Sequence, residues 1–302
     1  MNKFSKQKLG LTIVLTCGTL WGLSGVLGQL LFRQSTISPG CLSSFRMFVS
    51  GICILVLCLL RTPHALGTVW KHKGDIFSLF IFAIFGVMAV QYTYFAAISA
   101  SNAATATVLQ YTYPVLMLFY TAFSTRKLPA VNEIIAILFA CFGIFLISTH
   151  GDLHSLSISK SALFLGLLSA VSFVFYTVYP HKLYEKYGIT PIMGWAFVIA
   201  GIVLCLITRS YHVSFTFSFR SVALVLAITF FGTLIPFLSY GTGVQILGNV
   251  KASLFVTIEP IVSGILTVLF TKQTFSPVDI AGFICIIGAI ELVAFKTLRK
   301  KN

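Results

Sequence analysis

The chain of 302 residues is 57% hydrophobic and only 9% charged, too little polar surface for a soluble protein of this length, and it is expected to be an all-α polytopic membrane protein. Its net charge of +14 would suggest nucleic acid in a soluble protein. Here no basic cluster sits with aromatics outside the apolar stretches, so no nucleic-acid partner is expected.

Ten apolar stretches follow one another, roughly 9–32, 39–60, 76–98, 102–124, 131–149, 159–180, 191–208, 221–243, 249–270 and 277–296, each close to the ~20 residues that cross a bilayer as a helix. The first has cations before it, like a signal peptide. Its run from Leu9 to Phe32 is too long for one and ends without a small-residue cleavage site, so it is expected to stay as a helix. It carries Gly18, Gly22, Gly25 and Gly28, a ridge that lets another helix approach closely and would allow one bundle to rock on another. The second begins at Ser38-Pro39, a polar cap followed by a helix-starting proline; Thr190-Pro191 and Ser276-Pro277 repeat that signal before the seventh and tenth. Arg46, seven residues into the second stretch, is expected to snorkel to the outer surface along its stem, the alternative being a pair with an internal acid. Pro114, Pro236 and Pro260 fall inside the fourth, eighth and ninth stretches. There they read as kinks whose freed carbonyls need partners from neighbouring helices or water.

The connections are too short for an appended folded domain; the longest are 61–75 and 209–220. Seven cysteines scattered through the apolar stretches indicate neither disulfides nor a zinc framework. The six histidines, His64, His72, His150, His154, His181 and His212, lie in connections or at helix ends, so no metal site or other cofactor is expected. No G-x-x-x-x-G-K-[ST], H-E-x-x-H or G-x-S-x-G run occurs, which leaves the chain without ATPase or hydrolase motifs.

Charge sets the topology. With the N-terminus in the cytoplasm, the inside segments hold 15 cations and the outside segments 5, Arg46 being the remaining one of 21. Both termini are therefore expected in the cytoplasm.

An internal echo sets the architecture. Residues 85–133 reappear as 231–279 at a constant offset of 146, pairing Phe85-Gly86 with Phe231-Gly232, Tyr94 with Tyr240, Pro114 with Pro260 and Glu133 with Asp279. Earlier helices align at an offset of 152, Pro39 with Pro191 and Phe45 with Phe197. The chain is expected to divide into residues 1–150 and 151–302, with the hydrophilic stretch from His150 to Lys160 between them. Five crossings per half, an odd number, place the second half upside down, giving ten transmembrane helices in two inverted five-helix repeats. Secondary transporters build two interchangeable halves around a midplane site in this way.

Six of the seven acids fall in loops or near helix ends, while Glu259 sits ten residues into the ninth stretch, near the bilayer midplane. A carboxyl there costs roughly 2.5–3.5 kcal/mol on insertion scales. It is expected to face the bundle interior or a wet cavity, as a proton-coupling group, a counter-charge for a cationic solute, or a hydrogen-bonding residue that joins helices. Its partner in the echo is Tyr113 in the run Gln110-Tyr111-Thr112-Tyr113-Pro114, where Gln110 and Tyr113 share a helical face. Trp21 of the first helix, Tyr94 of the third and Tyr240 of the eighth complete the expected lining. Aromatic faces with a few hydrogen-bonding groups suit an amphiphilic metabolite or, by cation–π attraction, an ammonium group. Tyr94 alternatively belongs to an interfacial aromatic belt.

The glycine-rich segment from Gly18 to Gly22, the run Pro39 to Ile54 with its Phe45-Arg46, and the paired segments Asn102 to Leu128 and Asn249 to Thr274 together resemble the drug/metabolite transporter superfamily, specifically its ten-helix EamA-type carriers. Glu259-Pro260 is similar to the family's ninth-helix pattern, whereas Tyr113-Pro114 stands where many members have a Glu-Pro or similar polar pair, leaving one midplane acid. The resemblance implies alternating access and movement of a small organic solute, commonly export of amino acids or other metabolites across the cytoplasmic membrane. Protons are the expected coupling partner, through Glu259. Import of quaternary or other organic amines such as choline is the alternative within transport. A membrane-embedded lipid-modifying enzyme would need acids or histidines clustered at one interface, a channel would show conductance above a carrier's turnover, and a scaffold would bind no solute.

Overall fold

The computed structural model describes residues 3–126, 131–150, 157–212, 218–247, 252 and 255–299. All regular structure among them is helical. The spanning segments are α1 (Lys3–Gln34), α2 (Pro39–Arg61), α3 (Lys73–Ala100), α4 in two pieces (Ala103–Gln110 and Tyr113–Thr125), α5 (Val131–Thr149), α6 (Lys160–Val178), α7 (Ile189–Ile207), α8 (Phe219–Leu247), α9 (Ile258–Thr271) and α10 (Pro277–Arg299). Large apolar side chains face outward around the bundle, among them Phe77, Phe85, Phe123, Leu138, Phe164 and Phe219, which is stable only where lipid covers them. The predicted division at 150/151 and the start of the ninth stretch abut residues 151–156, 248–251 and 253–254, which lie outside the described residues.

The constant offset has structural meaning at each place where the helices depart from regularity. The third segment widens to π-helix over Phe82–Met88 and the eighth over Phe230–Leu234, around Gly86 and its counterpart Gly232. The fourth breaks at Tyr111 and Thr112, and the ninth restarts after Thr257, which is 146 residues beyond Tyr111. Arg126 and Lys272, again equivalent, end α4 and α9 in the left-handed conformation with φ of 53° each, a common helix stop. Equivalent sequence has folded into equivalent irregularities.

Helix packing repeats the symmetry. The major pairs are α2 with α7, α5 with α10, α1 with α8 and α9, and α6 with α3 and α4. Exchanging each helix with the one five places along maps this list onto itself. With an odd number of crossings per half, the exchange axis lies in the membrane plane. The self-paired crossings are close because glycines meet backbone. A Cβ on Gly51 of α2 would lie 2.7 Å from the Val198 nitrogen, and one on Gly143 of α5 would lie 2.7 Å from the Gly282 carbonyl oxygen of α10.

Several expectations need correction. Pro114 and Pro260 do not kink continuous helices; each falls in the first turn of a new helical piece, at Tyr113–Thr125 and Ile258–Thr271. Thr190-Pro191 is not the cap of α7, which starts at Ile189 after Gly188 at φ of 84°. Ser38 and Ser276 do cap their helices, accepting from Cys41 N at 3.1 Å and Asp279 N at 3.2 Å. Arg46 does not snorkel: it is 3% exposed, because Gln91 and the Phe95 ring of α3 hold its guanidinium inside. The glycine ridge of α1 serves two partners, Gly18 and Gly22 facing α9 while Gly25 and Gly28 face Tyr94 and Phe95 of α3.

A Cβ on Gly22 would lie 2.9 Å from the Glu259 carbonyl oxygen, whereas Gly264 has nothing within 4 Å. Gly22→Leu should therefore lower the thermal midpoint of the purified protein, by an overpacking penalty of about 1–3 kcal/mol. Gly264→Ala should leave it unchanged or slightly raised.

Candidate functional site

Proline chemistry builds the site. Pro260 has no N–H to give the carbonyl four residues earlier, so the Val256 oxygen is left without its helical donor inside the bundle. The Tyr111 hydroxyl supplies one from the other half of the molecule, at 3.1 Å from Val256 O and 2.8 Å from Glu259 Oε2. One phenol thus satisfies the freed backbone group and holds the acid in a three-centre bond. Glu259 lies in the first turn of α9, where the N-terminal dipole end of the helix favours negative charge. It is 6% exposed and so lies inside the bundle. Thr257, the cap residue, donates to Glu291 Oε1 of α10 at 3.1 Å, so a second acid reaches the break from its outer side.

Tyr111 bonds Glu259 directly, the Tyr113 ring lies 5.7 Å from that of Tyr111, and Trp21 and Tyr240 pack in the cluster that holds Val256. The Tyr94 hydroxyl meets Thr107 Oγ1 at 2.8 Å, and Thr107 donates to Ser263 Oγ at 3.3 Å, one turn beyond Glu259. Tyr94 is 7% exposed and so stands inside the bundle, not in an interfacial belt. Gln110 and Tyr113 both turn toward α6: the Gln110 amide donates to Ser169 Oγ at 2.6 Å, and the Tyr113 ring lies 4.3 Å from that of Phe173. Trp21 packs between Phe237 at 5.5 Å and Tyr240 at 5.4 Å. The direct partner of Glu259 is Tyr111, which sequence reasoning did not single out. The signal was present, since a freed Val256 carbonyl needs a donor and Tyr111 begins the hydroxyl-bearing run 111–113. Among the described residues no group of three or more His, Cys, Asp or Glu side chains could hold a metal.

The two faces of the bundle differ. On the face away from the chain termini, Gln29 of α1 bridges the Ala103 nitrogen at 2.9 Å and Thr271 Oγ1 at 3.4 Å, while Arg33 donates to Thr271 O at 3.0 Å and Gln273 Oε1 at 3.1 Å. Toward the terminal face, an apolar groove of about 450 Å³ runs along the outside of the packed α4–α6 contact, lined by Leu116 and Tyr120 of α4 and by Val171, Phe175 and Tyr179 of α6, with Tyr120 and Val171 exposed on the bundle surface. The symmetric place between α9 and α1 is packed, for a Cβ on Gly22 would lie 3.1 Å from both Ser263 N and Val262 Cγ1.

The pattern of the EamA-like transporter family matches residues 8–149 and again residues 160–295. The chain belongs to that family. It is a multi-pass membrane transporter of the EamA-like type. It is 34% identical over 291 residues to a Salmonella typhimurium protein called "Uncharacterized inner membrane transporter YicL", with 96% of this chain and 97% of that protein covered. A solved crystal structure, titled only as that of a protein, shares the fold with a TM-score of 0.66 at 16% identity, covering 98% of this chain and 99% of that one.

In this EamA-like chain Tyr111→Phe would strand two buried acceptors. The expected loss is about 1–3 kcal/mol, read as a lower thermal midpoint. Glu259→Gln, whose amide oxygen still accepts from Tyr111, should cost less.

Proposed function

We propose that this chain is a secondary active transporter that exports small organic metabolites, amino acids or related amphiphilic solutes, across the cytoplasmic membrane by alternating access coupled to protons through Glu259. The observation that carries this reading is the Tyr111–Glu259 hydrogen bond at 2.8 Å, a buried acid at a helix break held from the opposite half. Any movement of one half against the other changes that bond. A carboxyl whose hydrogen bonding changes with conformation is a means of coupling protonation to access.

In this reading the six central residues have separate tasks. Glu259 takes up and releases the proton. Trp21, Tyr94, Gln110, Tyr113 and Tyr240 contact the solute as the halves part. The repeats are residues 1–150 and 151–302, and the excess of cations on the terminal face puts both termini in the cytoplasm. Aromatic rings about a carboxylate favour a second reading, import of quaternary or other organic amines, through cation–π attraction. A thermal-shift screen of amines against neutral amino acids separates the two.

Reconstituted vesicles test the coupling. With one proton per solute, each pH unit across the membrane should drive about tenfold accumulation. Glu259→Gln should reduce this to simple equilibration while leaving solute exchange measurable. Undiminished accumulation by Glu259→Gln would refute proton coupling through this residue.

A further inference from the structure

Among the described residues Arg46 is a buried cation without a counter-ion. Its Nη2 donates to Gln91 Oε1, its Cζ lies 4.3 Å from the centre of the Phe95 ring, and its Nε has no partner. The ion pairs among the described residues, His150–Asp279, His181–Glu185 and Lys186–Asp75, all lie elsewhere. A guanidinium has five donors in a planar fork shaped for a carboxylate. A neutral amide oxygen and an aromatic face answer only part of that demand. If the residue served only to join α2 and α3, a pair of neutral side chains would do so with less desolvation.

The position of Arg46 relates it to the central site. The Phe95 ring beneath its guanidinium meets that of Tyr94 at 5.3 Å, and Tyr94 reaches Ser263, one turn beyond Glu259, through Thr107. α1 covers this region with the residues that lack side chains: a Cβ on Gly25 would lie 2.7 Å from the Tyr94 hydroxyl, and one on Gly28 would lie 2.5 Å from the Phe95 ring. A parting of α1 from α3 would uncover Tyr94 and the Phe95 ring on which the guanidinium rests.

We infer that Arg46, oriented by Gln91 and Phe95, binds a carboxylate of the transported solute, while Glu259 lies at the other end of the same site. The inference rests on the transport reading and adds to it a required chemical group. Solutes with a carboxylate are held through Arg46, and those whose carboxylate is replaced by an amide or a hydroxyl are not.

The test is a thermal-shift series on the full-length purified protein with L-phenylalanine against phenylalaninamide and glycine betaine against choline, paired with flux of the same compounds in vesicles. In the wild type the carboxylate member of at least one pair should stabilise and its partner should not. Arg46→Gln should weaken the response by about tenfold or more, and Arg46→Lys, which keeps the charge but loses the fork, by less. Because Arg46→Gln risks misfolding, Gln91→Glu provides the decisive variant. It places an internal carboxylate on the guanidinium, so the free protein should be as stable as wild type or more so while the response to carboxylates disappears. Equal stabilisation by both members of each pair, no stabilisation by any carboxylate, or a full response in Gln91→Glu would overturn the inference. Flux that ignores the carboxylate defeats this inference alone, whereas absence of flux for every small solute defeats the transport reading with it.

Discussion

Inside a bilayer a backbone carbonyl that loses its helical donor finds no water to replace it. That constraint organises the centre of this molecule. Pro260 takes the donor from Val256, and the Tyr111 hydroxyl, 3.1 Å away, replaces it from the other half. The same hydroxyl holds Glu259, so the acid's geometry follows from a backbone requirement. Close approach of α1 is the second requirement, met by Gly18 and Gly22, which leave room for the backbone of Val256 and Glu259.

The two halves share a backbone plan and differ in chemistry. Both have a π-turn around a glycine, a break before a proline and a left-handed cap 146 residues apart. At the break one half offers Tyr113 and the other Glu259. Backbone symmetry provides two related arrangements of nearly the same packing, and the side-chain difference puts the central acid on only one of the two broken helices. Gln29 and Arg33 join α1 to the end of α9 at one face, while an apolar groove runs outside the α4–α6 contact toward the other.

Much of this was legible in the sequence. The ten helical stretches and the two inverted repeats follow from hydropathy and an unbroken register. The echo also pairs Tyr94 with Tyr240 and Tyr113 with Glu259, and the structure sets Trp21 against Tyr240 and Tyr111 against Glu259. Other features were hidden for identifiable reasons. Apolar sequence runs straight through the breaks in α4 and α9, so proline alone could not separate a kink from a restart. Tyr111 was overlooked because its role depends on a carbonyl 145 positions away. Arg46 was misread because snorkelling assumes lipid around the stem, and the neighbours that hold it, Gln91 and Phe95, come from another helix.

The central claim is that access to Glu259 alternates between the two faces of the bundle. Spin labels at Tyr120 and Tyr179 would report the separation of α4 from α6, and labels at Arg33 and Gln273 the contact between α1 and the end of α9. Distances measured by pulsed electron paramagnetic resonance in membranes, across pH and with the amino-acid and amine panel, should change in opposite senses: as the first pair closes, the second opens. Two distances that stay fixed under every condition, or that widen together, would contradict alternating access between these faces.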